Sequence, residues 1–132
     1  MNLEVSDRLD ILDVLARADS AASRRDPDAY VELFTDDVVL DGDQGVHVGK
    51  ETLRQAVGPL WANEGAATLH LTLNPILENV GSSTDEVMAN SVLLIVQPGS
   101  SPHILTAAFI TQRLRRIGAS WRIGHRRVKV AT

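Results

Sequence analysis

Residues 26–40, Asp-Pro-Asp-Ala-Tyr-Val-Glu-Leu-Phe-Thr-Asp-Asp-Val-Val-Leu, make a short helix run into an acidic turn and on into a strand. Asp26 is suited to the N-cap, where a carboxylate accepts from the free amides of the first turn. Pro27 follows at the first helical position, where a missing N–H costs nothing. Tyr30, Leu33 and Phe34 fall on one face at helical spacing, Asp36-Asp37 is expected to stop the helix, and Val38-Val39-Leu40 to start a strand. A chain that changes from helix to strand within so few residues is committed to mixed α and β structure.

The flanking segments extend that pattern. Residues 6–25 read as an amphipathic helix with Ser6 as N-cap and Asp7 in the first turn. Leu9, Leu12, Ala16 and Asp19 or Ser20 lie near one face, and Ile11, Leu15, Ala18 and Ala22 widen the apolar stripe. The second helix spans 26–34, a short strand 37–41, a brief one 46–48, and a third helix 49–61 with Leu53, Ala56, Val57 and Leu60 on its apolar face. Strands are expected at 68–80, 86–97, 103–117 and 121–130, separated by turns rich in Gly, Ser and Pro. Pro75 demands a sheet edge or a bulge. Helices followed by long antiparallel strands give an α+β fold as one domain over 1–132.

Composition removes several functions. The chain has no cysteine, so disulfides and thiolate chemistry are excluded. A cytoplasmic location is the expectation: no signal peptide is visible at the N-terminus, and no apolar run approaches the roughly 20 residues that span a bilayer. Charge is segregated: residues 1–50 hold twelve acids and five bases, residues 103–132 seven bases and no acid. The basic segment lacks interleaved aromatics for base stacking, so no nucleic-acid partner is expected. Several of these bases should alternate outward along strands, and contacts between the acidic and basic parts, within or between subunits, account for the asymmetry. The four histidines show no metal-ligand spacing, and nucleotide-binding, zinc-protease and serine-hydrolase motifs are absent. Neither metal nor cofactor is expected.

Four stretches carry a family resemblance: Ser23-Arg-Arg-Asp-Pro-Asp with Leu33-Phe34-Thr-Asp-Asp37; Gly49-Lys-Glu-Thr-Leu-Arg54; His70-Leu-Thr-Leu-Asn74-Pro; and Arg113-Leu-Arg-Arg116 with Trp121-Arg-Ile123. Their order and spacing resemble the nuclear transport factor 2-like superfamily, most of all its SnoaL-like group, which includes polyketide cyclases, dehydratases and ketosteroid isomerase relatives. The resemblance implies a cone-shaped α+β barrel, with three N-terminal helices on a curved, mainly antiparallel sheet. It also implies a pocket for a small hydrophobic molecule and a homodimer packed through the sheet. With five aromatics in the chain, the pocket should be mainly aliphatic, suited to a terpenoid, steroid or polyketide fragment.

By that resemblance His70 occupies the position of a catalytic acid/base; an imidazole titrates near neutrality and can move a proton beside a carbonyl. The family's frequent catalytic aspartate would fall on Ser23 and its partner tyrosine on Ala18, so both are replaced. Asp19, among Ala18, Ala21 and Ala22, is the substitute carboxylate, because partial burial raises a carboxyl's pKa toward that of a usable base. Its competing role is a solvated face or an ion pair with Arg24. Gln112 stands where isomerase relatives keep a pocket aspartate and can donate to an oxyanion. Asp41 lies near the place of their general base, although Asp beside Gly also makes turns. Ser23, Asn74 and Asn90 are further candidate substrate contacts.

Three functions follow. In the first, a cofactor-independent dehydratase, isomerase or cyclase, His70 and Asp19 lie within hydrogen-bond reach in a dry cavity. The second is a non-catalytic binding or assembly domain similar to the small β subunit of aromatic-ring dioxygenases; it would have a filled pocket or an outward His70. The third, an epoxide-opening enzyme, would need an acid–arginine–acid trio, for which Arg113, Arg115 and Glu78 are the available residues.

Overall fold

The computed structural model describes residues 3–65 and 67–131. Helix α1 spans Val5–Ser23. Its N-cap is Glu4, without a side-chain cap bond, in place of the expected Ser6. Asp7 faces across the molecule instead, accepting from Arg116 Nη2 at 2.9 Å and Trp121 Nε1 at 3.2 Å. The buried stripe of α1 is Ile11, Leu15, Ala18, Ala21 and Ala22, whereas Leu9 and Leu12 are exposed. The three alanines let the helix sit close against the sheet.

Helix α2 is Pro27–Val31, and Asp26 Oδ1 accepts from Ala29 N at 3.1 Å. It ends earlier than Asp36, because Phe34 already belongs to strand β1, Phe34–Gly42. Leu33 O accepts from Ile123 N at 2.9 Å, pulling the chain into the sheet before the acidic pair. Tyr30 remains at the centre of an aromatic cluster, 4.7 Å from Phe34 and 5.2 Å from Trp61 between ring centroids. Strand β2 is Gly45–Val48, and helix α3 runs Lys50–Glu64, three residues past the expected end at Trp61. It terminates at Gly65, whose φ of 117° suits glycine alone.

Strands β3 (Leu69–Asn79), β4 (Glu86–Gln97), β5 (His103–Ile117) and β6 (Ser120–Val130) complete a six-stranded sheet of order β2-β1-β6-β5-β4-β3. All pairs are antiparallel except β1 with β6. Helix α1 touches both β3 and β6, which β4 and β5 separate, so the sheet wraps around it. Pro75 satisfies both of its requirements at once: β3 is an edge strand, and its register shifts between Leu73 and Ile76.

The core joins the inner helix faces to the sheet through Ile11, Phe34, Leu53, Trp61, Leu114 and Ile123. A second cluster, Leu93, Ile95, Ala108 and Ile110, with Val128 against it, lies farther along the sheet. The acidic and basic segments meet as expected, with Arg115 paired to Asp37 and Arg116 to Asp7. Among the described residues no helix is long and apolar enough to cross a membrane.

Candidate active site

A cavity of about 230 Å³ opens on the inner face of the sheet near the C-terminal end of α3. Leu93, Ile95, Val128 and Val130 line it from the sheet, and Tyr30, Val57, Leu60 and Trp61 from the helices. Its polar lining includes Glu64, His70, His47 and Arg126.

His70 enters by strand alternation. It pairs with Ile95, whose side chain faces inward, and is 7% exposed. Its Nε2 lies 2.7 Å from Glu64 Oε1. The same carboxylate oxygen accepts from Thr68 Oγ1 at 2.9 Å. Thr68 Oγ1 in turn accepts from Arg25 Nη2 at 2.6 Å, and Arg25 Nη1 lies 3.8 Å from Glu64. Arg25 also donates to Ala22 O and Gly65 O, tying the C-terminal ends of α1 and α3 to the start of β3. The resulting relay runs Arg25–Thr68–Glu64–His70. With Nε2–H given to Glu64, the imidazole's Nδ1 has no hydrogen-bond partner among the described residues and is its free acceptor.

The expected pairing of His70 with Asp19 is replaced by this one. Asp19 Oδ2 accepts from Thr72 N at 2.7 Å and its Oδ1 from Thr72 Oγ1 at 2.9 Å. Burial pushes the Asp19 carboxyl above its usual range; the Arg126 charge, the two Thr72 bonds and His70 oppose that shift. One turn on, Ser23 Oγ accepts from His70 N at 2.9 Å. Asp19 and Ser23 thus hold two successive outward amides of edge strand β3, and neither lines the cavity.

The other candidates are dispersed. Gln112 is buried, 1% exposed, with Oε1 unpartnered, and it stands opposite Arg126 in the β5–β6 register without lining the cavity. Asp41 alternates away from the cavity while its neighbours Leu40 and Gly42 line it, and Asp43 reaches the rim instead. Asn74 is exposed with φ 54°, forming the β3 irregularity. Asn90 sits on the outer face, donating to Glu78 at 3.3 Å and accepting from Thr111 at 3.1 Å. The acid–arginine–acid trio does not form: Arg113 pairs with Glu86, Arg115 with Asp37, and Glu78 with Asn90.

Two lining residues depart from the sequence reading. Glu64 lay beyond the expected end of the third helix, although Gly65 is a recognisable C-terminal stop. Arg126, one of seven basic strand residues of which several were expected to face solvent, is 4% exposed. The cause is a bulge: Leu114 pairs with Ile123 and Arg113 with His125, leaving Gly124 as the extra residue. Trp121 and Ile123 face inward before it; after it Arg126, Val128 and Val130 do. A lone glycine inside a strand is the available clue. Among the described residues no group of three His, Asp or Glu comes together to hold a metal ion.

The family model for the SnoaL-like domain matches residues 3–127. The chain belongs to this family. No curated protein matches the sequence. Among solved structures, the SnoaL-like chain is similar to a protein of unknown function with a cystatin-like fold from Nostoc punctiforme. The identity is 27% and the TM-score 0.90, over 99% of this chain and 96% of that one. A hexachlorocyclohexane dehydrochlorinase of LinA type from Novosphingobium barchaimii has 18% identity and TM-score 0.82, over 97% and 88% of the two chains. A provisionally assigned scytalone dehydratase from Novosphingobium aromaticivorans has 14% identity and TM-score 0.82, over 97% and 86%. At those identities the last two establish the shared fold.

Proposed function

We propose that this SnoaL-like chain is a cofactor-independent acid–base enzyme, a lyase or isomerase, acting on a small, mainly apolar ketone or alcohol. The observation that carries the reading is the His70–Glu64 pair, 2.7 Å apart, on the wall of an apolar cavity. His70 Nδ1 takes the proton from a carbon beside a carbonyl, and the electron pair left behind forms the enolate. Glu64, accepting the Nε2–H, orients the ring and offsets the positive charge of the imidazolium. The imidazolium then returns its proton either to a leaving β-hydroxyl, which departs as water, or to another carbon. Support also comes from the dehydrochlorinase and the provisionally assigned dehydratase on the same fold, both named for eliminations.

Cavity size narrows the substrate. An apolar cavity of about 150 Å³ holds benzene. About 230 Å³ therefore suits one substituted ring better than the four fused rings of a steroid. The assembly-domain reading called for a filled pocket or an outward His70; an open cavity with His70 on its wall counts against it.

We also propose a homodimer through the outer sheet face. Leu69, Leu71, Leu73, Ile76 and Phe109 are all exposed there, the last two at 63% and 62%, a contiguous apolar surface of the kind that marks an interface.

The test is a screen of monocyclic enolisable ketones and tertiary alcohols, following deuterium incorporation and water loss by NMR. His70→Ala should lower turnover by about 100-fold or more, with Glu64→Gln falling between it and the native enzyme. Turnover unchanged in both variants would refute the assignment.

A further inference from the structure

Arg126 is the one buried arginine among the described residues, at 4% exposure. No carboxylate of a described residue lies within 4 Å of its guanidinium, and no described group hydrogen-bonds to it. It lies over the Tyr30 ring, whose centroid is 5.9 Å from Cζ. The nearby acids are already engaged, Asp19 by Thr72 through both oxygens and Glu64 Oε1 by Thr68 and His70. An arginine cannot shed its proton to escape burial, so an unpaired one carries a large desolvation penalty. The fold nevertheless turns it inward, through the Gly124 bulge, onto the cavity wall. A second unmet group shares that wall: His47 Nε2 is buried without a partner.

We propose that the cavity binds a small apolar monocarboxylate, its carboxylate held by Arg126 and its body lying against Leu93, Ile95 and Val128. Given the proton-transfer reading, on which this rests, the substrate class becomes a cyclic or branched oxo- or hydroxy-acid. The guanidinium fork matches a carboxylate with two parallel hydrogen bonds. Among the described residues neither a lysine nor a second arginine lines the cavity, so a phosphate dianion would lack the further cations it needs. His47 is placed to donate to a second oxygen of the ligand.

A matched pair, cyclohexanecarboxylate and cyclohexanecarboxamide, tests this by calorimetric titration of the full chain. The carboxylate should bind at least about tenfold more tightly. Arg126→Met should erase that preference, and Arg126→Lys should retain part of it. Equal affinities, no saturable carboxylate binding, or an unaltered preference in Arg126→Met would overturn the proposal. If Arg126→Met does not fold, the matched pair on the native chain and Arg126→Lys decide. Binding is measured without turnover, so the two readings fail separately. Carboxylate preference without catalysis removes only the enzyme; turnover of neutral ketones without that preference removes only the anion site.

Discussion

Asp19 is the residue whose role changed most between sequence and structure, and its substitution is the most informative. Its carboxylate clamps the free edge of β3 through Thr72 N and Thr72 Oγ1. A hydrogen bond contributes about 1 kcal/mol net, and one to a charged group about 1.5–3. Both bonds go to the carboxylate, so Asp19→Ala forfeits roughly 3–6 kcal/mol gross. The relief of a half-buried charge returns part of that, because burial raises this carboxyl's pKa. A net loss of about 2 kcal/mol is expected, which is a fall of roughly 8 °C in Tm for a domain near this size. Asp19→Asn should lose less than about 1 kcal/mol, since its carbonyl still accepts from Thr72 N and its amide can donate to the hydroxyl.

The pH dependence has a definite sign. Above the ordinary value of 3.8 the folded state holds the Asp19 proton more tightly than the unfolded chain does. This group's contribution is thus fully present below 3.8 and declines as pH rises through the elevated folded pKa. Asp19→Asn should flatten that decline. Urea unfolding across the pH series, with hydrogen exchange at the amides of residues 70 and 72, measures both effects. The clamp argument fails if Asp19→Ala changes stability by less than about 0.5 kcal/mol, below the worth of a single bond, or if neither amide exchanges faster. A loss of turnover in Asp19→Asn at unchanged stability would restore Asp19 as the base.

Ser23→Ala, which frees His70 N, should cost about 1 kcal/mol. Combined with Asp19→Ala it should depart from additivity by about 0.5 kcal/mol or more, since both act on one strand segment; a double-mutant unfolding cycle checks this. The Asp7 carboxyl is held below its usual range by the Arg116 and Trp121 hydrogen bonds, so its contribution is present above 3.8 and lost as pH falls through the folded value. Acid titration of Asp7→Asn should lack that loss. Phe109→Asp should convert a dimer to monomer in analytical ultracentrifugation without changing the fold, and a native chain that is already monomeric would dispose of the outer-face interface.

Much of this molecule is written locally. The order and type of its elements follow from period and caps: Asp26 before Pro27 starts a helix, and Pro75 breaks an edge strand. These depend on a few adjacent residues, so the sequence alone determines them. The partner of His70 is a different matter. Asp19 and Glu64 are both carboxylates on helices, and only the packing of α1 and α3 against β3 sends one to Thr72 and the other to the imidazole. Asn90 and Asp41 likewise depended on strand phase, which places them away from the cavity. Arg126 shows why such phases are hard to read. Period-two alternation is local, but a single extra residue at Gly124, visible only against the register of β5, inverts every side chain after it. The chain therefore specifies its scaffold through short-range geometry, while the charged groups that meet in the cavity are chosen by contacts between elements distant in sequence.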